Sequence, residues 1–184
     1  AGISAVLDAT HPFAARITAR TAAVCADLGM PYLRLERPGW VPGRGNDWVM
    51  VPGEREVGAH VGPEDVVFLA TGRQTLGRFA GLGAKWVYCR QIDAPEEAFP
   101  FEGGEFVIGR PPFSVEDEVA LFSRLGVTRL VVKNAGGLAS MSKLDAAREL
   151  GICVVMLERP EGPVCARVET VEQAAAWAED LGVI

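Results

Sequence analysis

The sequence predicts an α/β protein built on parallel sheets. Three observations carry that expectation. Short apolar strands alternate with helical stretches of about 8–15 residues, the signature of βαβ units. Strands such as VVFLA (Val66–Ala70), RLVV (Arg129–Val132) and CVVML (Cys153–Leu157) are apolar throughout, as in sheets covered on both faces. Three strands end in short polar, Gly-rich or Pro-containing turns that lead into helix: AVLDATHPFA (Ala5–Ala14), VVFLATGRQTL (Val66–Leu76) and LVVKNAGGLAS (Leu130–Ser140). The C-terminal edge of a parallel sheet is where such proteins bind ligands, and three turns of this kind suggest a shared crevice.

Taken in order, Ser4–Leu7 reads as a strand and Pro12 to Leu28 as a helix, with Pro near its start and Gly29 just past its end. Tyr32–Leu35 is a second strand. Arg37–Asn46 (RPGWVPGRGN) is rich in Pro and Gly and is the best linker candidate. Beyond it come strand Trp48–Val51, helix Glu54–Val61, strand Val66–Ala70, helix Gln74–Phe79, and strands Lys85–Cys89 and Phe106–Ile108. Helix Val115–Leu125, strand Arg129–Val132, helix Ser142–Leu150, strand Cys153–Leu157 and helix Val171–Leu181 complete the chain.

The chain has 184 residues, enough to bury a core, and carries a net charge of −6. That balance argues against a nucleic-acid partner. The charge is uneven. Asp93 to Glu118 holds eight carboxylates and one Arg, whereas Ala1 to Pro38 holds four Arg (Arg16, Arg20, Arg34, Arg37) against three acids. A locally basic end can receive an anion on an acidic protein. Four widely spaced cysteines (Cys25, Cys89, Cys153, Cys165) and two histidines do not suggest a metal site, so none is expected. No apolar run is long enough to span a membrane and no signal peptide is visible, so a cytoplasmic location is expected. The chain opens at Ala1 and enters a strand almost at once, without the glycine-rich phosphate loop that usually begins a dinucleotide fold. A piece of a longer protein would look like this.

Each turn offers chemistry. In the first, Thr10 or His11 can cap the helix, or His11, Phe13 and Arg16 can contact an anion or a ring-shaped ligand. In the second, Thr71 can be an N-cap, Gly72 permits close approach, and Arg73 supplies a donor fork at a helix start, where a cation opposes the dipole unless an anion is present. In the third, Lys133 emerges from an apolar strand, and Asn134, Gly136 and Gly137 suit a backbone nest; the alternative is a loop whose glycines serve the turn. His60, the four tryptophans and the Glu96–Glu105 charge run read as surface or packing residues. G-x-S-x-G, P-loop and H-E-x-x-H motifs are absent from the sequence.

DATHPFAARI, PYLRLERPGW, VFLATGRQTL, GRPPF and KNAGG with SKLDAARELGICVVMLERP, in that order, resemble the precorrin-6A reductase family of cobalamin biosynthesis over essentially the whole chain. The resemblance implies two Rossmann-like domains with ligands between them. Residues 1–38 would close a first domain and residues 39–184 would form the second, with the family's N-terminal strand and Gly-Gly-Thr-type loop missing. It implies NADPH as cofactor, a polycarboxylate tetrapyrrole (precorrin-6A) as substrate, and neighbouring pathway enzymes as possible partners. Lys133 and His11 are then the candidate catalytic residues. Thr10, Phe13, Arg16 and Arg20 are candidates for the substrate, and Thr71, Gly72, Arg73, Asn134, Gly136 and Gly137 for the cofactor. Two alternatives stay open: the NADH-preferring cobalt-precorrin-6A reductase of the anaerobic route, and a non-catalytic nucleotide-binding module.

Overall fold

The computed structural model describes residues 2–182. The chain divides into two compact units, one of residues 2–40, 135–137 and 159–182, the other of residues 41–134 and 138–158.

The first unit holds a three-stranded parallel sheet. Its strand β1 (Val6–Asp8) is followed by α1 (Ala15–Asp27) and β2 (Tyr32–Leu35). The chain returns to this unit at its C-terminal end with β9 (Ala166–Val168) and α4 (Val171–Asp180). β2 is central: Val6 pairs with Tyr32 on one side, and Leu33 pairs with Ala166 on the other. The expected division at residues 1–38 and 39–184 therefore needs correction. The segment beyond Arg159 closes the first sheet, because β9 hydrogen-bonds to β2. β9 has the sequence ARV, too short and too polar to read as a strand. α1 starts later than expected because Pro12 and Phe13 form a turn, with Ala14 N–H donating to His11 O at 2.7 Å. It ends at Gly29 (φ 62°), where Met30 N–H returns to Cys25 O at 2.8 Å.

The second unit is a six-stranded, all-parallel sheet. Its strands are β3 (Trp48–Val51), β4 (Val66–Leu69), β5 (Trp86–Gln91), β6 (Gly104–Ile108), β7 (Arg129–Lys133) and β8 (Cys153–Leu157), in the spatial order β3-β8-β7-β4-β5-β6. The most apolar strands, β4, β7 and β8, lie inside the sheet and are almost wholly buried. Phe68 of β4 packs edge-on against Phe122 at 5.0 Å between ring centroids. Phe122 belongs to α2 (Val115–Leu125), which a Ser114–Asp117 capping box starts and Gly126 in the left-handed conformation ends. α3 (Ser142–Leu150) packs beside α2.

Two expected α-helices, Glu54–Val61 and Gln74–Phe79, are instead 3-10 segments, Glu54–His60 and Arg73–Phe79. Each is seven residues long and contains a glycine near its end, and both close with i→i+3 bonds (Val61 N–H to Gly58 O, Ala80 N–H to Gly77 O). Glycine costs about 1 kcal/mol in an α-helix, and so short a segment cannot recover the nucleation cost.

The strand order reverses between β4 and β7. From β4 the chain moves outward to β5, whereas from β7 it moves the other way to β8. The carboxyl ends of these two neighbours form the crevice in which ligands of such sheets sit.

Candidate functional site

At that crevice the backbone turns sharply through Gly72, whose φ of 79° favours glycine. β4 runs out into Ala70, Thr71, Gly72 and Arg73. Lys133, at the end of β7, reaches across and donates from Nζ to Thr71 O at 2.9 Å. This bond ties the two strand ends together. Burial pulls the Lys133 ammonium below its ordinary value, Glu54 opposes that, and Arg78 adds to it.

Beside the bond opens a hollow of about 590 Å³, within the range of small-molecule sites. Thr71, Gly72 and Arg73 form one wall, and Gln91 and Phe113 another. Ser142 and Lys143, at the start of α3, also face it. An ion pair also lines it. Arg90 donates through both terminal nitrogens to the two Glu118 oxygens, each at 2.6 Å. The guanidinium lies 4.3 Å from the Phe113 ring centroid and 4.8 Å from that of Phe68. Lys143 donates to Ser140 O at 2.8 Å; burial lowers its pKa, Glu118 raises it and Arg90 lowers it again.

Three buried polar atoms of residues that line the hollow, Thr71 Oγ1, Arg90 Nε and Gln91 Nε2, have no hydrogen-bond partner among the described residues. Each such atom costs about 1–3 kcal/mol unless something supplies the missing bond.

Of the residues around this crevice, the sequence singled out Thr71, Gly72, Arg73 and Lys133 but not Arg90, Gln91, Glu118 or Lys143. A signal was present. β5 ends in Cys-Arg-Gln, polar groups leaving an apolar strand just as Lys133 does. Glu118 was concealed among the surface acids around it, although it is buried.

The other cofactor candidates are placed differently. Asn134 is buried, and its N–H donates to Leu157 O at 3.0 Å. Gly136 and Gly137 belong to the first unit. Their carbonyls accept from Arg37 Nε (2.9 Å) and Trp40 Nε1 (2.9 Å). A Cβ on Gly136 would strike Pro38 O. These glycines allow Arg37 and Pro38 to pack closely, a requirement separate from any ligand nest.

In the first unit, Asp8 ends β1 and organises the turn behind it. Its carboxylate accepts from Tyr32 Oη at 2.6 Å and from Thr10 N–H at 2.9 Å. Burial alone would raise its pKa, but the bonds from Tyr32 and Thr10 outweigh it and hold Asp8 below the ordinary carboxylate value. The Thr10 and Thr18 hydroxyls meet at 2.9 Å. His11 is exposed; its Nδ1 accepts from Phe13 N–H at 3.2 Å, so neutral His11 carries its proton on Nε2. Phe13, Arg16 and Arg20 line one open hollow of about 480 Å³. Among the described residues no group of three or more His, Cys, Asp or Glu could hold a metal ion, and no helix is long and apolar enough to cross a membrane.

The family model for precorrin-6x reductase CbiJ/CobK matches residues 1–179. The chain is 43% identical to "Precorrin-6A reductase" of Mycobacterium tuberculosis (strain CDC 1551 / Oshkosh) over 180 residues, 97% of this chain and 73% of that relative. It is 28% identical to "Cobalt-precorrin-6A reductase" of Priestia megaterium over 193 residues, 94% of this chain and 73% of that relative. A solved structure of CobK precorrin-6A reductase matches it with a TM-score of 0.94 and 36% identity, over 99% of this chain and 75% of that one.

Proposed function

The chain belongs to the precorrin-6x reductase family, and on that premise we propose that it reduces one double bond of the precorrin-6A macrocycle with NADPH, giving precorrin-6B. Carbon receives a hydride, the conjugated nitrogen system receives a proton, and NADP⁺ leaves. The observation that supports this reading best is the hollow at the switch point, which Thr71, Gly72, Arg73 and Lys143 line. A polar ligand fits there.

The nicotinamide ring supplies the hydride when it is bound. The chain has three tasks: to hold the partners in register, to exclude water, and to deliver the proton. We assign Thr71, Gly72 and Arg73 to the cofactor, with Arg73 pairing a phosphate, and Asn134 beside them. Gly136 and Gly137 are assigned to the cofactor through their backbone N–H groups, since their carbonyls are already engaged. Thr10, Phe13, Arg16 and Arg20 are assigned to the substrate, whose carboxylates suit the two arginines.

Hydride addition to a conjugated C=N or C=C system places electrons on nitrogen. Lys133 suits the proton delivery that follows, because burial makes it give up its proton more readily. His11 is the second candidate, through Nε2. The metal-free substrate is favoured over its cobalt form because identity is higher to the relative with the metal-free name.

The test is nucleotide oxidation by the purified chain with metal-free and cobalt-loaded precorrin-6A, using NADPH and NADH in turn. Turnover with NADPH and the metal-free compound is expected. Lys133→Ala should lower kcat about 10²–10⁴-fold with little change in KM. Arg73→Ala should raise the KM for NADPH. An unchanged kcat removes Lys133 from proton transfer, and an unchanged KM for both reactants removes Arg73 from binding. No oxidation with either substrate leaves the non-catalytic nucleotide module as the better reading.

A further inference from the structure

The sequence GRPPF, residues 109–113, forms the turn from β6 into α2 and takes no part in the reaction proposed above. Four of its five residues build the wall of the switch-point hollow. Gly109 N–H donates to Gln91 O at 3.0 Å, which ties the end of β6 to the end of β5. A Cβ on Gly109 would lie 3.0 Å from the Phe113 ring, so glycine leaves that ring its room. Phe113 in turn covers the Arg90 guanidinium at 4.3 Å. Pro111 and Pro112 stiffen the backbone between these anchors, and Ser114 caps α2 directly after them.

Arg110 has no such duty. Its backbone is held from both sides: Gly109 is bonded to β5, and the ring of Pro111 confines the residue before it to extended conformations. Its side chain is held by little. It is 73% exposed, and it pairs at 3.0 Å with Asp93, whose side chain is 84% exposed. Exposed pairs of this kind contribute little, because water and salt screen them and two side chains must be ordered. Among the described residues Arg110 has no other hydrogen bond or ion pair.

Asp93, Gly109 and Pro111 all line the hollow, so the Arg110 guanidinium stands at its mouth, parked on a carboxylate of the rim. Arg73, exposed on another wall, makes no ion pair among the described residues. Arg90, by contrast, is engaged at both terminal nitrogens by Glu118. An anion entering the hollow therefore meets Arg73 directly and Arg110 on exchange of one weak partner.

We propose that Arg110 is a phosphate-binding residue of this hollow, and that it leaves Asp93 for the phosphate of the ligand. The backbone stays in place and the side chain turns inward. A phosphate offers the guanidinium fork a bidentate partner of higher charge than Asp93 does. Asp93 is thus the ligand's competitor, holding the arm at the mouth until an anion arrives. That the phosphate belongs to a nicotinamide nucleotide rests on the function proposed above; the exchange of one anion for another does not.

The test needs no turnover. Binding of NADPH, NADH and inorganic pyrophosphate to the whole chain is measured by calorimetry at constant ionic strength. Arg110→Gln should weaken NADPH binding about tenfold, the loss of one charge-assisted contact. Asp93→Asn should strengthen it about 1.5- to 5-fold, the competition of one exposed pair. In the Arg110→Gln background Asp93→Asn should change nothing, since no arm is left to release. Both side chains are exposed, so Tm should stay within about 4 °C of the wild type in all three variants. A loss with NADPH alone puts Arg110 on the 2′-phosphate, and a loss with NADH as well puts it on the pyrophosphate; either supports the proposal. If Arg110→Gln binds NADPH as the wild type does, or Asp93→Asn gains equally in both backgrounds, the exchange is overturned while the reading of the hollow stands. If the wild type binds neither nucleotide, that reading fails and pyrophosphate decides: the same pattern across the three variants upholds the exchange, and its absence overturns it.

Discussion

Glu118→Ala is the substitution whose effect the structure defines best. The Glu118 side chain is 1% exposed and that of Arg90 10%. Two bonds of 2.6 Å join them. Removing the carboxylate leaves a guanidinium between Phe68 and Phe113, with its Nε already lacking a partner. Breaking one side of such a buried pair costs about 3–5 kcal/mol. For a chain of this size each kcal/mol moves Tm by about 2–4 °C, so a fall of roughly 6–20 °C is expected. The double variant Arg90→Met/Glu118→Leu removes both charges at similar volume, and most of the lost stability should return. Urea unfolding followed by tryptophan fluorescence, with calorimetry as a second probe, measures all the variants. If Glu118→Ala costs under about 1 kcal/mol, or the double variant is no more stable than the single, the pair is not a desolvated ion pair and the reasoning fails.

Other expectations follow from single observations. Gly136→Ala should lose at least about 1–3 kcal/mol, because φ is 69° and the new Cβ meets Pro38 O; near-normal stability by urea titration would contradict that packing. Phe68→Ala, at a fully buried position in β4, should cost about 3–5 kcal/mol in the same assay. Asp8 has a folded-state pKa below its unfolded value of 3.8, so its contribution is complete above that pH and disappears as pH falls through the folded value. Asp8→Asn should therefore lose about 1–3 kcal/mol near neutrality and little at the acid end, a difference that melts across a pH series will resolve. Lys133 changes stability in the same direction, but at alkaline pH. Its folded value lies below the ordinary 10.5, so the wild type should gain stability relative to Lys133→Met as pH rises between those two values, where the unfolded chain binds more protons. A flat difference would mean that Lys133 is not desolvated.

The alternation of apolar strands and helices was legible because βαβ units impose it locally. Val115–Leu125, Ser142–Leu150 and Cys153–Leu157 fall where the pattern places them. β9 was not legible, since ARV acquires strand character only from its partner β2. The same non-local pairing explains why a division at Pro38 looked reasonable and why contacts assign the C-terminal segment to the first unit. Part of the site could be read for a local reason: Thr71, Gly72, Arg73 and Lys133 leave apolar strands as polar punctuation. Arg90 and Glu118 lie 28 residues apart and reveal themselves only when β5 and α2 pack together. The glycines at 136 and 137 suggested a phosphate nest, yet their demand for space comes from Arg37 and Pro38, far away in sequence.

Two arginine arrangements in one acidic chain differ in how many guanidiniums each carboxylate serves. Arg90 has a carboxylate to itself, bonded at both ends, and aromatic rings within 5 Å on which to rest. Its charge is neutralised inside the fold, so a ligand in the hollow gains little from it electrostatically. Arg34, Arg159 and Arg167 reach the single carboxylate of Glu36 at 3.1, 3.6 and 3.5 Å. A charge already paired one to one contributes little more when an anion arrives. The net charge of −6 therefore says little about where anions bind; the local ratio of guanidinium to carboxylate, counted below the surface, says much more.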